Sequence, residues 1–241
     1  MKQTKPVLSI IIPSKNEESL IDACLASIMN QDSKLPYEVI LVDGNSTDKT
    51  REIARKYPVR IVTDAKPGKC YGLQTGVQHA KGRILVFTEA DCVVPPNWLR
   101  RIYNAFETNP TLAAITGIYT FHHSTPFYTL LVKMFLPAGM YIARFLIGTY
   151  PLRNTNYAIK KNSMDAVGGY DTRTTELYDL DLSLRLKHSH PIVFDPALSV
   201  QTSDRRIRGR LFAFLKEFMI SVWHVWILRK PVLKPVYAHI R

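Results

Sequence analysis

Glu89-Ala90-Asp91 places two carboxylates on one short turn, directly after the apolar run Ile84-Leu85-Val86-Phe87. Acids just past a buried strand supply oxygen ligands, an open face and a rigid support. A divalent cation carrying a diphosphate needs all three. One acid-x-acid triplet is a common pattern in solvated turns, so its weight depends on what surrounds it. Three further polar clusters end apolar runs: Pro13-Ser14-Lys15-Asn16-Glu17, Asp43-Gly44-Asn45-Ser46-Thr47-Asp48, and Asp64 to Lys69. The second could simply cap the next helix through Thr47 or Asp48. In the third, Lys66 and Lys69 flank Pro67-Gly68, and a basic loop facing two carboxylates also suits a metal-bound diphosphate.

The elements behind these clusters read as alternating strands and helices. Val7 to Ile12, Glu38 to Val42, Val59 to Val62 and Arg83 to Phe87 are short apolar runs of strand type. Glu17 to Asn30, Asp48 to Tyr57, Tyr71 to Ala80 and Asn97 to Phe106 carry helical periodicity. That alternation predicts an α/β fold with a mostly parallel sheet flanked by helices. In such sheets ligands sit beyond the carboxyl ends of the strands, where all four clusters fall.

The chain of 241 residues is 46% hydrophobic, enough for a real core. Its three cysteines, Cys24, Cys70 and Cys92, are scattered and show no metal-ligand spacing. They read as small core residues in a reducing compartment, which points to the cytoplasm. The first apolar run is too short for a secretory signal core. A net charge of +12 calls for an anionic partner: nucleic acid, an acidic membrane face or a phosphorylated substrate. Much of the excess lies near the C-terminus, among aromatic and aliphatic residues, which favours a membrane surface over nucleic acid.

Two segments carry that idea further. Phe127 to Gly148 is strongly apolar yet includes Lys133, Pro137, Gly139 and Arg144. At ~100° per residue its two basic residues fall within roughly 20° of each other. This describes a helix, or two halves broken at Pro137, lying in a membrane interface. A core helix with its basic residues turned to solvent gives the same period. Leu211 to Leu228 has a polar strip of Glu217, Ser221 and His224, with Trp223 and Trp226 elsewhere and Arg210, Arg229 and Lys230 at its ends. Tryptophans with flanking basic residues suit headgroups. Together the segments predict a monotopic protein on the inner face of the cell membrane.

In this order the motifs resemble the family 2 glycosyltransferases, inverting enzymes of the Rossmann-like GT-A fold, from about Leu8 to Arg206, and this resemblance implies that the mostly parallel sheet is mixed. Ser9 to Glu18 looks like the family's first strand and nucleotide loop. Val42 to Asp48 looks like its second-strand motif, and Gly68-Lys69 with Gly72 to Gly76 and Ala80-Lys81-Gly82 is similar to its Gly-Lys…Leu-Asn-x-Gly stretch. Glu89-Ala90-Asp91 takes the place of the Asp-x-Asp metal motif, followed by Pro95 to Leu99. Asn156 to Lys161 and Val167 to Asp171 look like acceptor-side motifs. Tyr178-Asp179 stands where the family carries Glu-Asp with its catalytic base. Gly44, Glu89 and Tyr178 depart from the usual residues.

The resemblance implies one domain in two halves. Residues 1–125 would bind the nucleotide sugar and 151–207 the acceptor. Residues 126–150 would be an amphipathic insert and 208–241 a C-terminal amphipathic helix with a basic tail. It also implies the chemistry: a sugar leaves a nucleoside diphosphate sugar by one in-line displacement, with Mn2+ or Mg2+ as cofactor. Asp91, with Glu89 beside it, would hold the metal. Pro13, Ser14, Asn16, Glu17, Asp43, Lys69, Glu89, Ala90, Arg205 and Arg206 would contact the donor. Arg205 and Arg206 could equally form a basic membrane-facing patch. Asp179 would be the base that accepts the proton of an acceptor hydroxyl. The implied acceptor is lipid-linked or a glycolipid. A polyprenyl phosphate, which scarcely needs a base, and a non-catalytic nucleotide-sugar binder are the alternatives. Leu180, Leu182, Leu184 and Leu186 alternate like a strand, whereas the resemblance implies a helix from Asp179.

Overall fold

The computed structural model describes residues 5–64, 66, 68–122, 126–174, 177–187 and 191–205. Leu211 to Leu228, Arg206 and the whole proposed C-terminal segment lie outside the described residues.

A seven-stranded sheet runs through the described chain. Its strands are β1 (Leu8–Ser14), β2 (Tyr37–Asp43), β3 (Arg60–Thr63), β4 (Ile84–Phe87), β5 (Ala114–Phe121), β6 (Tyr157–Lys160) and β7 (Ile192–Thr202), in the order β3-β2-β1-β4-β6-β5-β7. Only β6 is antiparallel to its neighbours; every other pair is parallel. The continuous apolar runs of β1, β2 and β4 follow from cover on both faces. Helices α1 (Ile21–Met29) and α4 (Trp98–Thr108) bury apolar residues in one core cluster with Leu8, Ile10 and Ile12. Helix α3 (Lys69–His79) buries its own with Ile11, Ile40 and Val42 on the other face.

The four expected strands are present, each with shifted ends. Two helices are shorter than their periodicity suggests. Helix α1 starts at Ile21 rather than Glu17, because Glu17 and Glu18 donate backbone N–H groups to Thr50 and Asp48 in a cross-loop network. Helix α2 (Thr50–Ala54) has only five residues.

Helix α5 (Pro126–Ile147) is one helix with Pro137 inside it, not two halves. It leaves the carboxyl end of β5, and the chain returns through 149–156 to the start of β6 at the same end of the sheet. The short α6 (Lys161–Ala166) follows β6. Helix α7 (Tyr178–Leu186) takes up the leucine-rich stretch, and Tyr178, Leu182, Ser183 and Leu186 are its buried residues. That i, i+4, i+8 spacing is a helical stripe. The alternation is therefore misleading here, because Leu180 and Leu184 lie off the buried stripe.

Candidate active site

The site occupies the carboxyl ends of β1, β2, β4, β5 and β7, and the amino end of the antiparallel β6. It contains two groups of charged residues. The first surrounds the end of β1 and β2. Asp43 is fully buried; its carboxylate accepts hydrogen bonds from the Ser46 amide (3.1 Å) and hydroxyl and lies 3.6 Å from Arg51 Nε. Ser46 Oγ in turn accepts from the Asn16 amide (3.0 Å), and Asn16 Oδ1 accepts from the Thr47 amide (2.9 Å). Asn16 and Asn45 adopt left-handed backbone (φ 56° and 58°), a conformation asparagine tolerates better than most residues. The two loops are thus stitched into one rigid floor beside Pro13 and Ser14. Ser14 Oγ is buried with no hydrogen-bond partner among the described residues, a polar atom left for a ligand. At Gly44 a Cβ would meet only ordinary van der Waals neighbours, so nothing steric demands glycine there.

The second group surrounds the acidic corner. Asp91 is 5% exposed; Thr202 Oγ1 donates to its Oδ1 at 3.3 Å, and an Arg205 guanidinium nitrogen lies 3.8 Å from its Oδ2. The same guanidinium pairs with Glu17. Arg205 therefore bridges the nucleotide loop and the acidic corner, although β1 and β7 are not neighbours in the sheet. Glu89 is held differently. Its Oε1 lies 2.8 Å from Lys69 Nζ and accepts from Thr155 Oγ1 at 3.2 Å. Between these acids, Ala90 turns its methyl into the hydrophobic core and serves packing.

Asp179 stands in the first turn of α7. Leu177 precedes its helix in the left-handed region (φ 54°), a costly conformation for leucine that fixes where the helix begins. The Leu180 amide donates to Asp179 Oδ1 at 2.9 Å, and Asn154 Nδ2 faces Oδ2 at 3.4 Å. Asn154 Oδ1 accepts from Tyr170 OH at 3.2 Å, and Tyr170 OH meets Tyr157 OH. Burial pushes both phenols well above their ordinary values, so this relay stays neutral and acts as a positioning device. Burial likewise raises Asp179 above the ordinary carboxylate range, opposed by the positive charges of Arg153 and Lys69. A carboxyl tuned upward in a cleft is poised to take a proton.

Asn154 and Thr155 link Asp179 to the acidic corner, since one holds Asp179 and the next holds Glu89. Arg153, Asn154 and Thr155 carry no motif signal. Their only trace in the sequence is a polar run between two apolar segments. Asp64, the first residue of the third polar cluster, is buried and accepts from Thr75 Oγ1 (2.7 Å) and the Lys66 amide (2.9 Å). A cavity of about 950 Å³ lined by Val7, Ile84, Lys160 and Lys161 opens at the other end of the sheet.

Among the described residues no three His, Cys, Asp or Glu side chains cluster as a ready metal cage. Mg2+ in general is bound by one or two carboxylates plus substrate phosphates and water rather than by an all-protein cage. Asp91 fits as the protein's ligand, its buried carboxylate approached by the Thr202 hydroxyl, the Cys92 thiol at 3.7 Å and the Arg205 guanidinium at 3.8 Å. Glu89 is already engaged by Lys69 and Thr155.

A sequence profile described as Glycosyl transferase family 2 matches residues 9–170. Glycosyltransferase AglE of Haloferax volcanii is 36% identical over 108 residues, covering 42% of this chain and 36% of that protein. Beta-monoglucosyldiacylglycerol synthase of Synechocystis is 30% identical over 198 residues, covering 77% of this chain and 41% of that protein. The chain thus spans well under half the length of these relatives. A mannosyltransferase from Pyrobaculum calidifontis, solved with GDP-Man and Mn2+, superposes with a TM-score of 0.71 at 20% identity, covering 98% of this chain and 68% of that one. That likeness establishes the GT-A architecture of the sheet. Because the profile spans most of the chain, from β1 past β6, the chain belongs to glycosyl transferase family 2.

Proposed function

We propose that the chain transfers a sugar from a nucleoside diphosphate sugar to a hydroxyl of a lipid-borne acceptor, in one inverting displacement at a membrane surface. The observation that carries this reading is the shared wall: Asn154 and Thr155 hold Asp179 and Glu89, and Lys69 pairs with Glu89 while its charge acts on Asp179. Donor chemistry at the acidic corner and proton removal from the acceptor then belong to one pocket.

Each residue has a part in that reaction. Asp43, Ser14 and the Asn16–Glu17 loop hold the nucleoside. Lys69 and Arg205 stabilise the negative charge that grows on the departing diphosphate. Asp91 would hold the divalent cation, which supplies further charge neutralisation at the leaving group. Asp179 accepts the acceptor's proton as the oxygen attacks the anomeric carbon.

Helix α5 supports the membrane side of the reading. Phe135 and Phe145 are 67% and 86% exposed, and Leu130, Met134, Tyr141, Ile142 and Leu146 are exposed beside them. Such an apolar face on one helix suits an interfacial rather than a spanning segment. No described helix is long and apolar enough to cross a membrane. Lys133 and Arg144, both exposed, and the +12 charge suit an anionic, cytoplasmic leaflet. The Synechocystis relative is named for a diacylglycerol product, which agrees with a lipid acceptor.

The test is a panel of UDP, GDP and dTDP sugars with Mn2+ and a total lipid extract. Free nucleoside diphosphate and a labelled lipid should appear together with one donor. Release with no donor under any condition would leave only a binding protein.

A further inference from the structure

Arg153 lies in the turn that leads from α5 into β6, where the Asn156 amide donates to its carbonyl oxygen at 2.8 Å. Its guanidinium stacks over the Tyr119 ring at 5.5 Å from the centroid, and its Nε is buried without a hydrogen-bond partner among the described residues. Buried arginine donors are costly to leave unpaired. Tyr119 fixes the guanidinium plane from one side, as cation–π contacts do. The next residue, Asn154, touches Asp179, so this fork stands beside the base rather than beside the nucleotide loop. Lys69, the other cation whose charge acts on Asp179, is already paired with Glu89.

We infer that Arg153 is a specificity-determining residue that binds an anionic group of the acceptor, a phosphate or carboxylate adjoining the hydroxyl that attacks. A planar fork matches two oxygens of either group, whereas a neutral acceptor would leave it unsatisfied. The same position explains the apolar face of α5, whose last residue precedes this turn: an amphiphile with an anionic head would meet the helix with its tail and Arg153 with its head. The inference rests on the proposed reading of Asp179 as the acceptor's base.

Glycerol 3-phosphate, lysophosphatidic acid and glycerol are titrated calorimetrically into the protein preloaded with Mn2+ and, in turn, UDP or GDP. Wild type should bind both phosphates and not glycerol. Arg153→Gln should weaken phosphate binding roughly ten- to hundredfold while nucleotide affinity stays within about twofold, given the worth of a charge-assisted hydrogen bond. Arg153→Lys, which keeps the charge but not the fork, should fall between and guards against a folding defect in the glutamine variant. Tighter binding of lysophosphatidic acid than of glycerol 3-phosphate identifies a lipid source; equal binding identifies a free phosphorylated acceptor, and either supports the fork. Unchanged phosphate affinity in both variants overturns the inference. So does a loss confined to nucleotide, which would assign the guanidinium to the donor. These readouts report binding, so they stand or fall apart from any failure to observe sugar transfer.

Discussion

Lys69 Nζ lies 2.8 Å from Glu89 Oε1, joining the first turn of α3 to the exit of β4. The pair engages Glu89, so in the proposed reaction Asp91 would be the carboxylate that takes the cation. Lys69→Met should therefore free Glu89 and remove one positive charge from the pocket. Turnover should fall by about 100-fold, the usual cost of one electrostatic contact to a developing charge. Steady-state kinetics with the identified donor checks this, and unchanged kcat would show that the lysine serves the fold alone.

Asp91→Asn should weaken metal binding. Isothermal titration of Mn2+ with nucleoside diphosphate is expected to show strong binding in wild type and at least tenfold weaker binding in the variant, since charged oxygen ligands dominate such sites. Glu89→Gln, by contrast, should retain most of the metal affinity. Equal losses in the two variants would make both acids ligands.

Asp179→Asn should reduce kcat by about 10² to 10⁴, the range of general base catalysis, with nucleotide affinity retained. The base works deprotonated, and burial raises its pKa, so the acid limb of kcat should lie above the ordinary carboxylate range. The folded chain also holds this proton more tightly than the unfolded chain. The associated stabilisation is complete below the unfolded pKa and is lost as pH rises through the folded one. The asparagine variant should then melt above wild type at neutral pH, with the gain shrinking on acidification. Differential scanning calorimetry across pH measures it, and a gain that grows on acidification would refute the assignment of the shift.

Gly117 sits where the register between β5 and β7 shifts, and a Cβ there would lie 2.0 Å from the Leu198 carbonyl oxygen and 2.4 Å from Asn156 Nδ2. Gly117→Ala should cost about 3 kcal/mol or more, because backbone must move to admit the methyl. For a chain of this size that lowers Tm by about 6–12 °C. A shift under ~2 °C in thermal unfolding would show that the strand pair yields easily.

Phe135→Asp combined with Phe145→Asp should abolish co-sedimentation with vesicles containing phosphatidylglycerol, while Tm stays within about 2 °C, as expected for exposed positions. Retained co-sedimentation would move the membrane contact away from α5.

The sequence alone determined the sheet's first four strands, the polar ends that crown them and the candidate acids. Each of these follows from local signals: runs of Ile, Val and Leu that must be buried, and polar residues that cannot be. The extents of α1 and α2 were not legible, because Glu17 and Glu18 spend their amides on Thr50 and Asp48, partners that only the folded chain supplies. The same holds for the leucines of α7, whose alternation is overridden by the stripe that Tyr178, Leu182 and Leu186 bury. Tertiary structure decided, too, that Asn154 and Thr155 reach Asp179 and Glu89 and that Arg205 reaches both Glu17 and Asp91. Antiparallel β6 brings its amino end to the carboxyl end of β4, and that reversal, invisible in any local window, sets Thr155 against Glu89, far away in the sequence.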